Sequence, residues 1–175
     1  MIDPEVLQKY ARDALKYLPL NEPSTELGDH LSFGLIEEVG ELAAACRTGD
    51  RSNIREEIGD VLWYLVSMEY LVSRGKSIGN MPRGIVLSAN LPVIDAVRAL
   101  AKDSSAMLCD FSYRQVDEYL INNLGRSFSD LETIMAHYRF SPKDILDEHL
   151  AKLRRRYGEG SIHSIEDWKK KRMPR

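Results

Sequence analysis

Gly34-Leu35-Ile36-Glu37-Glu38-Val39-Gly40-Glu41-Leu42 and Arg55-Glu56-Glu57-Ile58-Gly59-Asp60-Val61-Leu62-Trp63-Tyr64-Leu65 are the two passages whose reading decides the fold. Each sets acids among apolar residues at helical spacing, and a short polar break, residues 48–52, separates them. At about 100° per residue, Leu31, Gly34, Leu35, Glu38, Glu41, Leu42 and Ala45 share one helix face, whereas Glu37 points elsewhere. In the second passage Ile54, Glu57, Asp60, Val61, Tyr64 and Met68 share a face and Glu56 does not. The break is too short for anything but an antiparallel helical hairpin. Two acid pairs, Glu38/Glu41 and Glu57/Asp60, are therefore expected to meet across one helix–helix interface.

Carboxylates buried without partners cost several kcal/mol each or are forced neutral, and four together repel one another. A hard divalent cation resolves both problems, and oxygen-only ligands favour Mg²⁺, Mn²⁺ or Ca²⁺ over Zn²⁺. Carboxylate metal sites in helical bundles are built in this way. The competing reading, a solvated Glu-rich face supported by i,i+4 cations, fits poorly. These acids sit among leucines and have few basic residues at the supporting spacing.

Glu-Glu-x-x-Glu, then a loop, then Glu-x-x-Asp, with these flanks, resembles the all-α nucleoside triphosphate pyrophosphohydrolases, and their MazG-like branch most of all. The resemblance implies an all-α helical bundle and Mg²⁺-dependent hydrolysis of nucleoside triphosphates to monophosphate and pyrophosphate, a nucleotide-pool housecleaning activity. It assigns Mg²⁺, with Mn²⁺ as an alternative, to Glu38, Glu41, Glu57 and Asp60, the same four that the helical faces select. A water activated there attacks phosphorus, and Glu41, or Glu37 from the rim, is the candidate to orient it. The family commonly ends in Asn, then Lys-Leu three residues on, then Arg-Tyr. Here His149, Lys152-Leu153 and Arg156-Tyr157 stand in those places. Lys152 and Arg156 are the expected phosphate ligands, and His149 is a departure at a substrate-contact position. Tyr64, on the acid face, is either a further substrate contact or a packed aromatic. Compact relatives pair subunits to finish the site, so a homodimer or higher oligomer is expected. Two other readings stand beside this one: an enzyme like phosphoribosyl-ATP pyrophosphohydrolase, and a non-catalytic helical module that binds Mg²⁺-nucleotide or a protein partner. No serine, cysteine or histidine nucleophile arrangement and no Gly-rich phosphate loop is visible in the sequence.

The 175 residues suffice for one domain with a core, and 43% hydrophobic content is ordinary for a soluble protein. A net charge of −3 argues against a general nucleic-acid binder. Cys46 and Cys109 have neither disulfide-framework nor metal spacing and read as small buried residues in a reducing compartment. Residues 1–5 lack the basic and apolar regions of a signal peptide, and no apolar run approaches the roughly 18 residues of a membrane span. A cytoplasmic protein is expected.

In chain order, Asp3-Pro4 opens a first helix that runs to about Tyr17. The second helix covers about 25–47, with Gly49 as its C-terminal cap. The third begins at Ser52 or Asn53, with Asn53 and Glu56 as a capping box, and ends near Ser73. Trp63 lies on the opposite side from Glu57, in the core or at a subunit contact. Residues 75–91 read as loop. Further helices are expected over 92–109, over 113–124 ended by Gly125, and from Ser129, capped with Glu132, to Tyr138. Ser141-Pro142 opens the last helix, closed at Tyr157-Gly158. The tail 161–175, with Trp168 and a basic run at 169–172, is expected to fray in solvent. One domain, 1–160, therefore has core helices at 4–73 and 141–158. The inserted segment 92–138 reads either as an addition or as a degenerate copy of the acidic hairpin lacking its acids.

Overall fold

Local chemistry sets where each helix begins. Asp3 accepts the Glu5 N–H at 2.8 Å and Pro4 occupies the first turn, so α1 is Pro4–Ala14, continued by one 3-10 turn, Leu15–Tyr17. α2 is Ser24–Thr48, and Gly49 follows it at φ 73°, a left-handed position that glycine adopts without strain. α3 is Arg51–Val72. Its cap is not the expected Asn53–Glu56 box. Asp50 takes that role, accepting the N–H groups of Ser52 and Asn53 at 3.0 and 3.2 Å. α4 is Val93–Ser112 and α6 is Pro142–Tyr157, capped by Ser141 and ended at Gly158. The computed structural model describes residues 2–20, 24–75, 92–112, 118–158, 162, 164–166 and 168. The loop expected over 75–91 lies almost wholly outside them, as do the basic run 169–172 and the Cys109 side chain.

Two further expectations are corrected. The segments read as separate helices around Gly125 form one helix, α5, Glu118–Tyr138. Gly125 is buried inside it, and Ser129 turns its hydroxyl back to the Gly125 carbonyl at 3.1 Å instead of capping a new start. Glu132, expected in a capping box, accepts the backbone N–H of Ile2 at 2.9 Å. The second correction concerns the tail. Trp168 is 2% exposed, not solvated. Its indole N–H donates to the Tyr157 hydroxyl at 2.8 Å, and its ring lies 5.0 Å from that of Trp63 and 4.4 Å from that of His30.

All described elements are helical, six α-helices and one 3-10 turn. α2 and α3 form one antiparallel hairpin, α4 and α5 a second, and the two pack together chiefly through α2 against α4, with α3 meeting α5. Leu35, Leu42, Ile58, Leu62, Leu65, Leu100, Met107, Leu124, Phe128 and Leu131 fill the space between them, all fully buried. Each such side chain contributes roughly 1.5–3 kcal/mol by leaving water, so this shared core holds the four helices together. α6 lies across α3 and α1. It reaches α3 closely because Gly59 has no side chain: a Cβ there would meet that of His149 at 3.0 Å. Cys46 is half-buried and its thiol is pushed up by burial. No helix among the described residues is long and apolar enough to cross a membrane.

Candidate metal and phosphate site

The hairpin brings three acids to one point. Carboxylate oxygens of Glu38, Glu41 and Glu57 lie within 4.8 Å of one another. Glu38 and Glu57 are buried, 6% and 7% exposed, because each sits in its helix's apolar stripe, whereas Glu41 is exposed at the rim with Glu37 one turn before it. Burial, and after it the neighbouring charges of Asp60 and Glu41, push the Glu57 carboxyl up to about 7. Its Oε2 is buried without a hydrogen-bond partner among the described residues. A buried carboxylate oxygen with an unspent lone pair, beside two more acids, is what a hard cation would satisfy. The donor set therefore fits Mg²⁺ or Mn²⁺.

Asp60, the fourth acid of the sequence motif, is engaged differently. Its Oδ1 faces His149 Nε2 at 3.0 Å and its Oδ2 accepts from Lys152. Burial alone would raise its pKa, but the His149 bond and the Lys152 charge outweigh that and hold it below the usual carboxylate range. Lys152 is half-buried and reaches Glu56 as well, at 2.8 Å. Thus Glu56, read from sequence as a helix-capping residue, is an ion-pair partner of the phosphate-ligand candidate. His149 is 4% exposed, and both ring nitrogens are spent, Nε2 on Asp60 and Nδ1 on the Tyr10 hydroxyl at 2.7 Å. Burial lowers its pKa, so the ring is neutral at physiological pH.

Tyr64 is 3% exposed and packs edge-on against Trp63 at 5.0 Å, over Gly34, whose lack of a Cβ leaves room for the phenol. It nevertheless borders, with Glu38, Asp60, Arg156 and Trp168, a small cavity beside the acids. Arg156 is exposed at that edge. On the other side of Lys152 a cleft of about 290 Å³ opens between α3 and α6, walled by Arg55, Glu56, Glu148, His149 and Arg155 among others. That volume is near the lower limit of small-molecule sites, about 300 Å³. Periodicity within α2, α3 and α6 found the acids, Lys152 and Arg156. It missed Tyr10 and Trp168, whose signals, an aromatic in an apolar stripe and a tryptophan in a basic tail, are common to ordinary core residues and to solvated ends.

Residues 28–79 match the family model of the MazG nucleotide pyrophosphohydrolase domain. The match takes in both acidic passages and stops before α4, so it spans less than half of the chain and leaves out His149, Lys152 and Arg156. No curated protein and no solved structure matches the chain.

Proposed function

We propose that this chain, which carries a MazG-type nucleotide pyrophosphohydrolase domain, hydrolyses nucleoside triphosphates to the monophosphate and pyrophosphate with Mg²⁺ bound at Glu38, Glu41, Glu57 and Asp60. The observation that carries the reading is the convergence of Glu38, Glu41 and Glu57 beside the Lys152–Asp60 pair. Bound there, the metal would supply charge neutralisation of the polyphosphate and acidification of a water. The chain's own groups do the rest. Lys152 and Arg156 bind phosphate oxygens and offset charge as it develops. Lys152 is already half-desolvated, and an incoming phosphate replaces the exposed Glu56 as its counter-ion. Glu41 or Glu37, both exposed on α2, orients the water and takes its proton. Tyr64 walls the site on the α2 side, and His149 acts from behind Asp60.

The α4–α5 hairpin is read as a degenerate counterpart of α2–α3. Its support is that it is antiparallel, packs on the first hairpin, and buries acids of its own, Asp103 and Asp130. On this reading one chain supplies internally what compact relatives obtain from a second subunit. Light scattering then gives a monomer in solution, and a stable dimer retires that part of the proposal.

The test is pyrophosphate release from a panel of canonical and modified nucleoside triphosphates, with Mg²⁺ and with EDTA. Metal-dependent release with one preferred base supports the assignment. No release from any member at several pH values rejects it in favour of a binding module.

A further inference from the structure

Two buried groups and a partly buried acid on three different helices form one chain of hydrogen bonds: Tyr10 on α1, His149 on α6 and Asp60 on α3. The Tyr10 hydroxyl lies 2.7 Å from His149 Nδ1, and His149 Nε2 lies 3.0 Å from Asp60 Oδ1. Tyr10 is 4% exposed, and its ring stands 5.9 Å from the imidazole. A buried phenol needs a hydrogen-bond partner, and a ring nitrogen at this distance supplies it.

The direction of each bond follows from the acid end. An ionised Asp60 only accepts, so His149 Nε2 must carry the hydrogen. A neutral imidazole has one N–H, which leaves Nδ1 as a bare lone pair aimed at Tyr10. The phenol must therefore donate. The opposite tautomer would set the Nε2 lone pair against the carboxylate oxygen at 3.0 Å, lone pair to lone pair. Asp60 thus selects the tautomer, and the Tyr10 hydroxyl donates to the nitrogen left bare, anchoring the far side of the ring.

We infer that Tyr10 is a positioning residue: by donating to His149 Nδ1 it holds the imidazole in the orientation in which Nε2–H meets one Asp60 oxygen while Lys152 holds the other. The two anchors, both on α6, hold different oxygens, so the carboxylate plane cannot rotate freely beside Glu38, Glu41 and Glu57. With the phenol removed, the Nδ1 lone pair is buried without its partner and the ring loses one of its two anchors. Asp60 then depends more heavily on Lys152, which it shares with Glu56. Outer partners that orient ligands in this way typically change metal affinity by about 10–100-fold. His149 consequently acts on the acid cluster rather than on a phosphate. The inference rests on the proposed role of Asp60 at the metal site, but its first readout does not involve turnover.

The test uses the full ¹⁵N-labelled chain. A long-range ¹H–¹⁵N spectrum assigns the His149 tautomer, its signals identified by their loss in His149→Leu. The inference expects Nε2–H with a bare Nδ1 in the wild type, and Nδ1–H overturns it without need of any variant. In Tyr10→Phe the tautomer is expected to stay Nε2–H, the Nδ1 resonance to move as its donor is lost, the Mn²⁺ dissociation constant to rise roughly tenfold, and kcat to fall with KM little changed. An unaltered Nδ1 resonance or unaltered Mn²⁺ affinity overturns the inference. In a His149→Leu background, Tyr10→Phe is expected to add less than about twofold to the Mn²⁺ constant, because its route is gone. The same factor in both backgrounds marks a packing role and also overturns it. A wild type with the expected tautomer and Mn²⁺ binding but no pyrophosphate release would count against the proposed activity and not against this relay.

Discussion

The α2–α3 and α4–α5 hairpins are alike in architecture and unlike in how they treat buried acids. In α4–α5, Asp103 and Asp130 are 7% and 4% exposed, and Asp103 has a cation built in. Arg126 donates to Asp103 at 3.0 Å and also to Asn123. In α2–α3, Lys152 from α6 serves Asp60, while Glu38, Glu41 and Glu57 converge with a buried Glu57 oxygen still without a hydrogen-bond partner among the described residues. The second hairpin pairs Asp103 with an internal arginine and lets burial hold a proton on Asp130, whereas the first brings three carboxylates to one point. The lesson is that buried acids alone do not mark a metal site; the convergence of three within 4.8 Å does.

The largest effect is expected at the open cluster. Glu38→Gln should abolish metal-dependent pyrophosphate release, a loss of about 10³-fold or more if the metal carries the electrostatic stabilisation. Its helical circular dichroism should be intact. Mg²⁺ should raise the Tm of the wild type by ligand linkage and leave that of Glu38→Gln nearly unmoved, which thermal unfolding with and without EDTA reads directly. Retained turnover in this variant would erase the distinction between the hairpins.

Arg126→Met probes the second hairpin. It strands the buried Asp103 without its half-exposed cation and should destabilise the fold by about 1 kcal/mol in urea titration. Any Mg²⁺-dependent gain in Tm should persist. If Mg²⁺ instead rescued Arg126→Met specifically, the second hairpin would be a latent metal site and the comparison would have to be redrawn.

Asp130 gives a pH-dependent effect. Burial, then the Asp103 charge, raises its carboxyl from 3.8 to about 7. The folded state therefore keeps a proton that the unfolded chain sheds above about 3.8, so this group's contribution to stability falls as pH rises through that window and is gone above 7. Asp130→Asn should flatten this slope, and it should be the more stable form at pH 8 by about 2 kcal/mol and near parity at pH 4. Denaturant melts at the two pH values decide it. The smallest change expected is at the first hairpin's turn: Asp50→Ala removes the α3 cap and should cost about 1 kcal/mol, whereas Asn53→Ala should cost little.

Much of the first hairpin was legible because its signals are local. The stripe through Leu35, Glu38 and Leu42 and that through Ile54, Glu57 and Val61 fix the helices and aim the acids. Gly49 and Gly158 mark ends where φ is positive. The second hairpin was read less well. Gly125 and Ser129 are stop and start signals in an isolated chain, but here burial between packed helices keeps α5 continuous and gives the serine hydroxyl an internal carbonyl. The tail failed for a related reason. A basic run beside Trp168 suggests solvent, and only the rings of Trp63 and His30, with the Tyr157 hydroxyl, supply a place for the indole.

By itself the sequence determined an all-α chain, the helical hairpin with its two acid pairs, and a cationic face on the last helix, because each depends on spacing within one helix. Tertiary structure alone decided that Asp60 is claimed by His149 and Lys152 while Glu38, Glu41 and Glu57 converge, that Tyr10 stands behind His149, and that Asp103 is answered by Arg126. Those outcomes depend on which helix lies against which, and charge compensation between buried groups is settled only once residues 139, 92 and 23 positions apart have been brought within a few ångströms.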